Sequence, residues 1–504
     1  MAATNIASSN LTLQLNGGSG IAQGNGTSYT DDNPYFSGIS YQNGSSHNNG
    51  TSLNNGTSSN GISYTNSTSH KNATPYTDRR TTSNLPVVIA GGGCVGLFLA
   101  LLLAQSNIPN EIIVVEPEHP DPNSTRAMAH QPPTYPILAK VEGLLPELIK
   151  AGNLSSGLCF RTSVKNGSKI IAEKTFDNSG EGMKGKGQLL LPQGKFQQVL
   201  MKKLAAFEDK VDIQLGVSVT GLRPSLTSID VKTTPTPTSS RFGIEWIEAA
   251  FLIDATGAHS PIRKELGIKL EGETLAAQLV ATDLYFDFHA HGFYDANFII
   301  DPESYGLIGR INHATESKPP LWRVSYGVPI HETEEEIMKG VDEKLQAMLP
   351  NRGRDKSGAI AYKIARIAPY KAQQRLAQTL YHPSSHTCLI GDAAHLTNPY
   401  AGLGLASGMA DAASLSKILI HILGNQALNE EKLLKAWSDA RREKFQNVID
   451  QPSRMAYQRV KTDVSTEEKI TEFMSKDPLV AALKMGMPVQ PPSLETNVEE
   501  LEGW

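Results

Sequence analysis

Cysteine is scarce in this chain, and the few that occur lie far apart. The 504 residues include three, Cys94, Cys159 and Cys388. At such separations they suit neither a disulfide framework nor a cysteine-based zinc site. Three unpaired thiols are typical of a reducing compartment, so the sequence predicts a cytoplasmic protein.

An excess of positive charge is also missing. Lys and Arg number 46 against 51 Asp and Glu, which gives a formal net charge of −5. Because proteins that bind nucleic acid carry basic patches, this balance argues against a nucleic-acid partner. No histidines stand at the spacing of metal ligands, and we predict no metal site.

Membrane signals are weak. The apolar run LPVVIAGGGCVGLFLALLLAQ, residues 85–105, is long enough to cross a bilayer. A membrane span, however, would not need three consecutive glycines or a strand directly after it. The opening residues MAATNIASSN lack the basic and apolar regions of a signal peptide. We therefore predict no transmembrane segment.

Residues 1–84 are rich in Asn, Ser, Thr and Gly and carry a loose repeat. Such a segment buries too little apolar surface to offset its ordering entropy, so it is predicted to be a disordered tail. Its Asn-x-Ser/Thr triplets would suit a glycosylated stalk. Since no signal peptide precedes them, chance occurrence in an Asn/Ser/Thr-rich text is the favoured explanation.

The run at residues 85–105 is better explained as a dinucleotide cradle. A β-branched strand leads into GGGCVG, in which Gly91 allows a tight turn, Gly93 lets the backbone approach a pyrophosphate and Gly96 allows close helix packing. A second buried strand then ends at Glu116, about twenty residues further on, where a carboxylate can bind a ribose diol.

Two further strand–turn–helix motifs follow. In AAFLIDATGAHSPIRKELGI, residues 249–268, a strand delivers Asp254. An ordinary Asx turn with a serine helix cap explains that motif equally well. In the segment at residues 388–419 a strand ends at Asp392, and glycines precede a long helix. The amides at the start of that helix would face an anion or a carbonyl oxygen, and we favour a functional role for them.

Taken in order, GGGCVG with Glu116, DATGAHSPIR and GDAAHLTNPYAGLGLASGMADA resemble the motifs of the single-component (group A) FAD-dependent aromatic monooxygenases, the p-hydroxybenzoate hydroxylase-like family. Softer similarities in YKAQQR and DARREKFQNVIDQPS point to its fungal secondary-metabolism members. The resemblance implies that FAD is held by Gly91, Gly93, Gly96, Glu116, Arg126, Gln193, Asp254, Asp392, Gly404, Leu405 and Ala406. Within that set, Glu116 would bind the adenosine ribose and Asp392 the ribityl hydroxyls.

The same resemblance implies the chemistry. NADPH would reduce FAD and leave, and O2 would then form a flavin C4a-hydroperoxide that passes one oxygen atom to an aromatic or polyketide-like substrate. No second GxGxxG motif with a following strand and acid appears, so NADPH is expected to dock transiently. The expected places are near Arg263 or at the loop SGEGMKGKGQ, where Lys184 and Lys186 could attract phosphate, although a merely solvated and flexible loop is the favoured explanation for that segment.

The implied fold is α/β, with a Rossmann-like FAD-binding domain, an inserted mixed-sheet substrate domain and a C-terminal helical segment. The FAD-binding domain would comprise residues 85–155, 186–270 and 380–462. The substrate domain would comprise residues 156–185 and 271–379, and residues 463–504 would form a C-terminal tail whose acidic end, ETNVEELEGW, is solvent-exposed. Candidates for orienting the substrate are Tyr294, Arg310 and Tyr326, with His289 and His291, although each suits an ordinary sheet position.

Other functions stay open. An FAD-dependent oxidase or reductase would share this fold, because contacts that activate oxygen are largely made by backbone groups. A catalytically silent binding module is less favoured, since it would not need the glycines and Asp392. A halogenase or a membrane-anchored epoxidase would need motifs that we do not find. The sequence leaves the substrate and the oligomeric state undetermined.

Overall fold

A computed structural model describes residues 84–179, 185–313, 319–487 and 492–504. The predicted disordered tail lies, up to residue 83, outside the described residues. The strands are β1 Val87–Ala90, β2 Ile112–Glu116, β3 Ala129–His130, β4 Asn153–Leu154, β5 Gly157–Thr162, β6 Ile170–Thr175, β7 Leu189–Leu190, β8 Val211–Leu215, β9 Val217–Pro224, β10 Ile229–Pro235, β11 Glu245–Ala249, β12 Phe251–Asp254, β13 Leu270–Tyr285, β14 Ala296–Ile300, β15 Gly306–Arg310, β16 Leu321–Pro329, β17 Lys363–Ala377, β18 Tyr381–His382, β19 Thr387–Leu389 and β20 His395–Leu396. The helices are α1 Cys94–Ala104, α2 Tyr135–Leu138, α3 Leu144–Ala151, α4 Gln193–Leu204, α5 Pro261–Glu265, α6 Glu334–Met348, α7 Gly404–Leu423, α8 Glu430–Lys444, α9 Gln451–Val460, α10 Glu467–Lys476 and α11 Pro478–Lys484.

The first large sheet is mainly parallel and has the order β18-β19-β12-β1-β2-β8. Its central strand β1 pairs in parallel with β2 on one side and β12 on the other, and all four of its residues are buried. Continuous apolar strands of this kind are expected where helices cover both faces of a sheet. Here α1 packs against α4 and α7 in the largest hydrophobic core. The apolar run at residues 85–105 is thus β1, a glycine turn and α1.

The second large sheet has eight strands in the order β20-β17-β13-β16-β15-β14-β5-β6. Its described pairs are antiparallel except β14 with β5, so the predicted mixed sheet is confirmed. One face packs under α6, and the other packs against side chains from α9, α10 and α11. The predicted α/β fold class is confirmed, whereas the domain boundaries stay a prediction.

The side chains of strand β16 show which face of this sheet adjoins the predicted dinucleotide cradle. Side chains alternate between the two faces of a strand. Trp322, Val324 and Tyr326 pack in the cluster with α6. Arg323 points the other way and donates a hydrogen bond to the carbonyl of Arg126, in the loop after β2. The Arg323 face therefore adjoins the cradle, and the Tyr326 face lies on the far side.

The predicted C-terminal tail, residues 463–504, packs on the rest of the chain through its apolar side chains, while most of its charged residues are exposed. Helices α10 and α11 contribute Phe473 and Val480 to a core on the eight-stranded sheet. Beyond them Val498 is 1% exposed, and the ring of Trp504 stacks on His421 with 4.0 Å between ring centroids. The expectation that ETNVEELEGW is solvent-exposed is wrong for Val498 and Trp504, because these apolar residues pack on neighbouring elements, and it is confirmed for the four glutamates of the segment, which are exposed.

No helix among the described residues is both long enough and apolar enough to span a membrane.

Candidate cofactor and active site

The three motif glycines at the end of β1 have different surroundings. Gly91 has a φ of +109°, and a Cβ there would lie 2.3 Å from the carbonyl oxygen of Ala255. A Cβ on Gly96 would lie 2.0 Å from the carbonyl oxygen of Gly91. At Gly93 a Cβ would meet nothing within 4 Å. Packing thus requires the first and third glycines, while the second leaves the start of α1 open to a phosphate, as the motif predicts.

Glu116 closes the cradle at the end of β2. Its carboxylate accepts hydrogen bonds from the backbone N–H groups of Gly92, at 2.7 Å, and Glu118, at 2.9 Å. Burial raises the pKa of Glu116, against the opposing effect of these two amides. A carboxylate has lone pairs beyond the two in use here, so the geometry fits the predicted contact with a ribose diol.

Gln193 is bonded to Ala127, the residue that follows Arg126. The Arg126 side chain is exposed and lies within electrostatic reach of both Glu116 and Asp392. Gln193 begins α4 and accepts a hydrogen bond from the N–H of Ala127 at 3.3 Å, while its own N–H donates to the Ala127 carbonyl at 2.8 Å. The structure thus brings together two residues that are far apart in sequence.

A buried ion pair holds the loop that carries Arg126. Arg323 donates to both carboxylate oxygens of Asp283, at 2.8 and 3.0 Å, to the hydroxyl of Thr125 at 3.0 Å and to the Arg126 carbonyl at 3.1 Å. Arg366 adds a further bond to the Thr125 hydroxyl. Sequence reasoning missed this cluster, because its members come from four distant segments of the chain.

Asp254 is bonded within its own turn. Its carboxylate accepts hydrogen bonds from the N–H and hydroxyl of Thr256 and from the hydroxyl of Ser260, which in turn caps α5 by accepting from the Arg263 N–H. This is the Asx turn and serine cap that the sequence allowed. Asp254 is fully buried, so it shapes the turn; direct contact with a cofactor stays a prediction.

Asp392 has the opposite surroundings. It follows β19, and its side chain reaches solvent. Protein atoms nevertheless crowd the carboxylate, and this desolvation raises its pKa against the smaller opposing effects of His395 and Arg126. A carboxylate that is exposed within a recess is placed to accept hydrogen bonds from ligand hydroxyl groups.

The start of α7 faces the same recess. Gly402 has a φ of +64° and turns the chain into the helix. The first N–H groups of any helix have no acceptor within it, so those of Gly404, Leu405 and Ala406 are available to a ligand carbonyl. Exposed Asp392, unobstructed Gly93 and these amides together fit FAD, and a contact between Arg126 and FAD stays a prediction.

Asp411 is a positioning residue that sequence reasoning missed, although it lies within the third motif. It is buried and accepts hydrogen bonds from His395 at 2.7 Å, from Arg441 at 2.8 Å and from the N–H of Gly391 at 3.0 Å. Burial by itself raises the pKa of Asp411, but His395 and Arg441 lower it overall. An acid on an otherwise apolar helix face was the available signal. Asp411 ties the turn that carries Asp392 to α7.

Neither described candidate for NADPH docking presents a free cation. Arg263 is 5% exposed and donates to the carbonyls of Ala393 and Ala258. Lys186 is buried and donates to the Asn178 carbonyl. Lys184 lies outside the described residues. Both cations serve the fold, and NADPH docking near either of them stays a prediction.

The substrate-orienting candidates do not meet at the cradle. Arg310 is directly opposite Trp322 in the ladder, so it lies on the far face, where it pairs with buried Asp295. Tyr326 lies on that face too. The Tyr294 hydroxyl donates to Glu173 on the edge strand β6. The remaining two candidates, His289 and His291, contact Asp295 and the Phe286 ring respectively.

A cluster of tyrosines lies on the near face instead. The Tyr305 hydroxyl is positioned over Gly327, which shares its face with Arg323, and lies 3.4 Å from the Tyr457 hydroxyl. The Tyr400 ring, in the loop before α7, packs on both rings at centroid distances of 6.3 and 5.6 Å. Its hydroxyl is buried and has no hydrogen-bond partner among the described residues.

Comparison with known proteins agrees with this geometry. The family model for an FAD binding domain matches residues 84–452. The chain is 31% identical to para-nitrophenol 4-monooxygenase of Pseudomonas sp. strain WBC-3, over 71% of this chain and 83% of that protein. It is 29% identical to 6-hydroxy-3-succinoylpyridine 3-monooxygenase HspB of Pseudomonas putida, over 72% and 86%.

A solved structure gives the same result. The crystal structure of p-nitrophenol 4-monooxygenase PnpA from Pseudomonas putida DLL-E4 superimposes with a TM-score of 0.68 at 26% identity, over 80% of this chain and 96% of that one. No group of three metal-ligating side chains occurs among the described residues. The chain belongs to the FAD binding domain family and is an FAD-dependent monooxygenase of the p-hydroxybenzoate hydroxylase fold.

Proposed function

We propose that this enzyme hydroxylates a small phenolic compound, with NADPH as the reductant and O2 as the oxygen donor. The observation that carries the proposal is the tyrosine cluster between the third-motif loop and the near face of the eight-stranded sheet. Relatives named for p-nitrophenol and for a hydroxypyridine support an aromatic substrate. FAD, when bound, supplies the oxygen chemistry.

The residues of the chain would bind and orient the phenol. Desolvation, together with Tyr457, raises the pKa of Tyr305, and burial raises that of Tyr400 well above its usual value. Both hydroxyls therefore stay protonated at neutral pH and can donate to a phenol oxygen or accept from it. The Lys461 ammonium lies 5.5 and 5.1 Å from the centres of the Tyr305 and Tyr457 rings and adds positive charge beside them.

The test is NADPH consumption by the FAD-loaded enzyme under air, with 4-nitrophenol and a panel of phenolic acids. We expect one class of phenol to accelerate consumption and to be recovered with an added oxygen. Tyr400→Phe should lower the yield of product per NADPH several-fold. Tyr362→Phe, on the far face, is the matched control and should not. A bound flavin that no phenol accelerates would contradict the proposal and favour an oxidase or reductase.

The contacts with FAD at Glu116, Arg126, Gln193 and Asp392 belong to this proposal, as does a role in secondary metabolism. A cytoplasmic location is supported by three buried cysteines without disulfides. The likeness to fungal members stays a prediction.

A further inference from the structure

Two sequence motifs that the cofactor site leaves unused meet in the structure. One is YKAQQR, residues 370–375, within β17. The other is DARREKFQNVIDQPS, residues 439–453, which includes the π-helical turn Phe445–Asp450 between α8 and α9. Turns of this kind are rare and often occur at functional sites. Gln374 of the first motif donates from Nε2 to the Asp450 carboxylate of the second at 2.8 Å, so the two motifs are bonded to each other.

The oxygen of the same Gln374 amide holds the loop of the third cofactor motif. It accepts hydrogen bonds from the Thr397 hydroxyl at 2.9 Å, from the side-chain amide of Asn398 at 3.0 Å and from the backbone N–H of Asn398. Gln374 is 1% exposed and Asn398 is fully buried, so solvent does not compete for these bonds. The Asn398 side chain also donates to the Ser453 carbonyl at 3.0 Å. Gln374 therefore bridges the third-motif loop and the segment that leads into α9.

The two residues that Gln374 holds adjoin the active site. The Asn398 side-chain oxygen accepts a hydrogen bond from the Tyr400 N–H at 3.1 Å and so fixes the turn that carries the Tyr400 ring. A Cβ on Gly404, the first residue of α7, would lie 3.6 Å from the Thr397 methyl group. A displacement of this loop would therefore reach both the tyrosine cluster and the N–H groups at the start of α7.

The position of Gln374 requires an amide. The Asn398 N–H can only donate and the Asp450 carboxylate can only accept, so the neighbours determine which end of the side chain is the oxygen. A carboxylate at this position would satisfy the loop but would face the Asp450 carboxylate. An apolar side chain would satisfy neither partner. Arg454 occupies the other Asp450 oxygen at 2.7 Å, so it leaves the oxygen that faces Gln374 in place.

We propose that Gln374 is a positioning residue for the monooxygenase reaction. It holds Thr397 and Asn398 so that Tyr400 and the start of α7 keep their places beside the substrate and the flavin. Gln374 acts through Asn398 and does not itself touch the substrate. The role of Tyr400 toward a phenol rests on the proposed function, whereas the amides of α7 require only that FAD is bound.

The test exchanges the amide and the carboxylate in the FAD-loaded enzyme. Gln374→Glu sets two carboxylates against each other, so product per NADPH should fall about tenfold with the phenol that the wild type hydroxylates, and the visible absorption bands of the flavin should shift. In Q374E/D450N a donor at position 450 again faces an acceptor at position 374. Both readouts should then return to within about twofold of the wild type.

Two further variants separate positioning from a loss of stability. Gln373→Glu makes the same change at the adjacent residue, whose side chain points to the other face of β17, and should leave both readouts near those of the wild type. Thr397→Val removes one donor to Gln374 but keeps the methyl group beside Gly404, so it should lower product per NADPH about threefold without loss of FAD. Asp450→Asn removes the ion pair with Arg454, so it cannot repair a Gln374→Glu protein that is merely unstable.

The proposal fails if Gln374→Glu couples as well as the wild type, if Q374E/D450N shows no recovery, or if Gln373→Glu loses as much product as Gln374→Glu. A wild type that converts no phenol would instead contradict the proposed function. In that case the flavin absorption bands of the same variants still decide whether Gln374 positions the start of α7.

Discussion

Asp254 ends β12, and Asp392 follows the neighbouring parallel strand β19. The two aspartates have opposite surroundings. Asp254 is buried and accepts hydrogen bonds from Thr256 and Ser260. Asp392 is exposed and lies within electrostatic reach of Arg126. A carboxylate whose oxygens are bonded inside the protein contributes to the fold, whereas one that faces a recess is available to a ligand. The two aspartates therefore give a direct test of which one serves the cofactor.

We predict that Asp392→Asn raises the dissociation constant for FAD about tenfold or more, because hydrogen bonds to a charged acceptor are worth about 1.5–3 kcal/mol. Its urea midpoint without FAD should stay near that of the wild type. Asp254→Asn should instead lower that midpoint, by about 1–3 kcal/mol in free energy of unfolding, since the amide places a donor against the Ser260 hydroxyl. Flavin fluorescence and urea titrations measure the two effects. A reversed pattern would contradict both assignments.

Residue roles within the eight-stranded sheet could not be predicted. Arg310 and Tyr326 alternate along their strands with residues of similar polarity. The sequence therefore predicts the strands but not which of their two faces points inward, toward the cofactor site. Which face points inward depends on α6, which follows β16 in the chain and covers one face, and on the loop after β2, which adjoins the other face. Tyr305 and Tyr400 lacked any local signal, because their proximity arises only when the third-motif loop meets the sheet.

At the level of elements, the turn between β1 and α1 combines close backbone packing with open space for a ligand. Gly91 and Gly96 are required by close backbone contacts, whereas Gly93 has open space on its side-chain position. This division could be predicted from the sequence, since a strand, a glycine motif, a helix and a terminal acid are local patterns with fixed spacing. The positions at which β1, α1 and β2 begin and end are set by residues close to them in sequence.

The glycines predict a contrast between two substitutions. Gly93→Ala should leave the unliganded protein as stable as the wild type and raise the dissociation constant for FAD about tenfold, because the methyl group obstructs the approach of the pyrophosphate. Gly96→Ala should lower the free energy of unfolding by about 1–3 kcal/mol or more, since its Cβ would overlap the Gly91 carbonyl. Thermal melts with and without FAD check both. Equal affinity in Gly93→Ala would exclude a phosphate at that position.

At the scale of the whole molecule, the two large sheets are joined by the buried Asp283–Arg323 pair and Thr125. The planar guanidinium reaches both Asp283 oxygens, the Thr125 hydroxyl and the Arg126 carbonyl together. A lysine ammonium, which is a point charge on a flexible chain, cannot make these hydrogen bonds in the same forked geometry. The loop that carries Arg126, a predicted FAD contact, thus takes its position from the other sheet.

We predict that Arg323→Lys lowers the free energy of unfolding by about 2 kcal/mol and weakens FAD binding several-fold, because the Arg126 loop loses its anchor. Arg241→Lys is the control, since Arg241 pairs with Asp212 at the surface, where such pairs contribute about 0–1 kcal/mol. Urea unfolding and flavin titration should separate the variants. Equal effects of Arg323→Lys and Arg241→Lys would show that the Asp283–Arg323 pair does not position the Arg126 loop.

The path of the C-terminal residues could not be read from the sequence. ETNVEELEGW contains few apolar residues, yet Arg441 donates to the Leu494 carbonyl and to the Thr496 hydroxyl, and Trp504 stacks on His421. These contacts depend on the arrangement of α7 and α8, which no local pattern encodes.

The three buried cysteines have a practical consequence. Burial raises the pKa of Cys94 to about 12 and that of Cys159 to about 11, and it raises that of Cys388 as well. Thiols held in this state react slowly with alkylating reagents, because the thiolate is the reactive form. Cys94 begins α1, Cys159 lies in β5 and Cys388 in β19, so each large sheet holds at least one. The rate at which a maleimide labels each site would therefore time the opening of each part of the molecule separately, without any engineered probe.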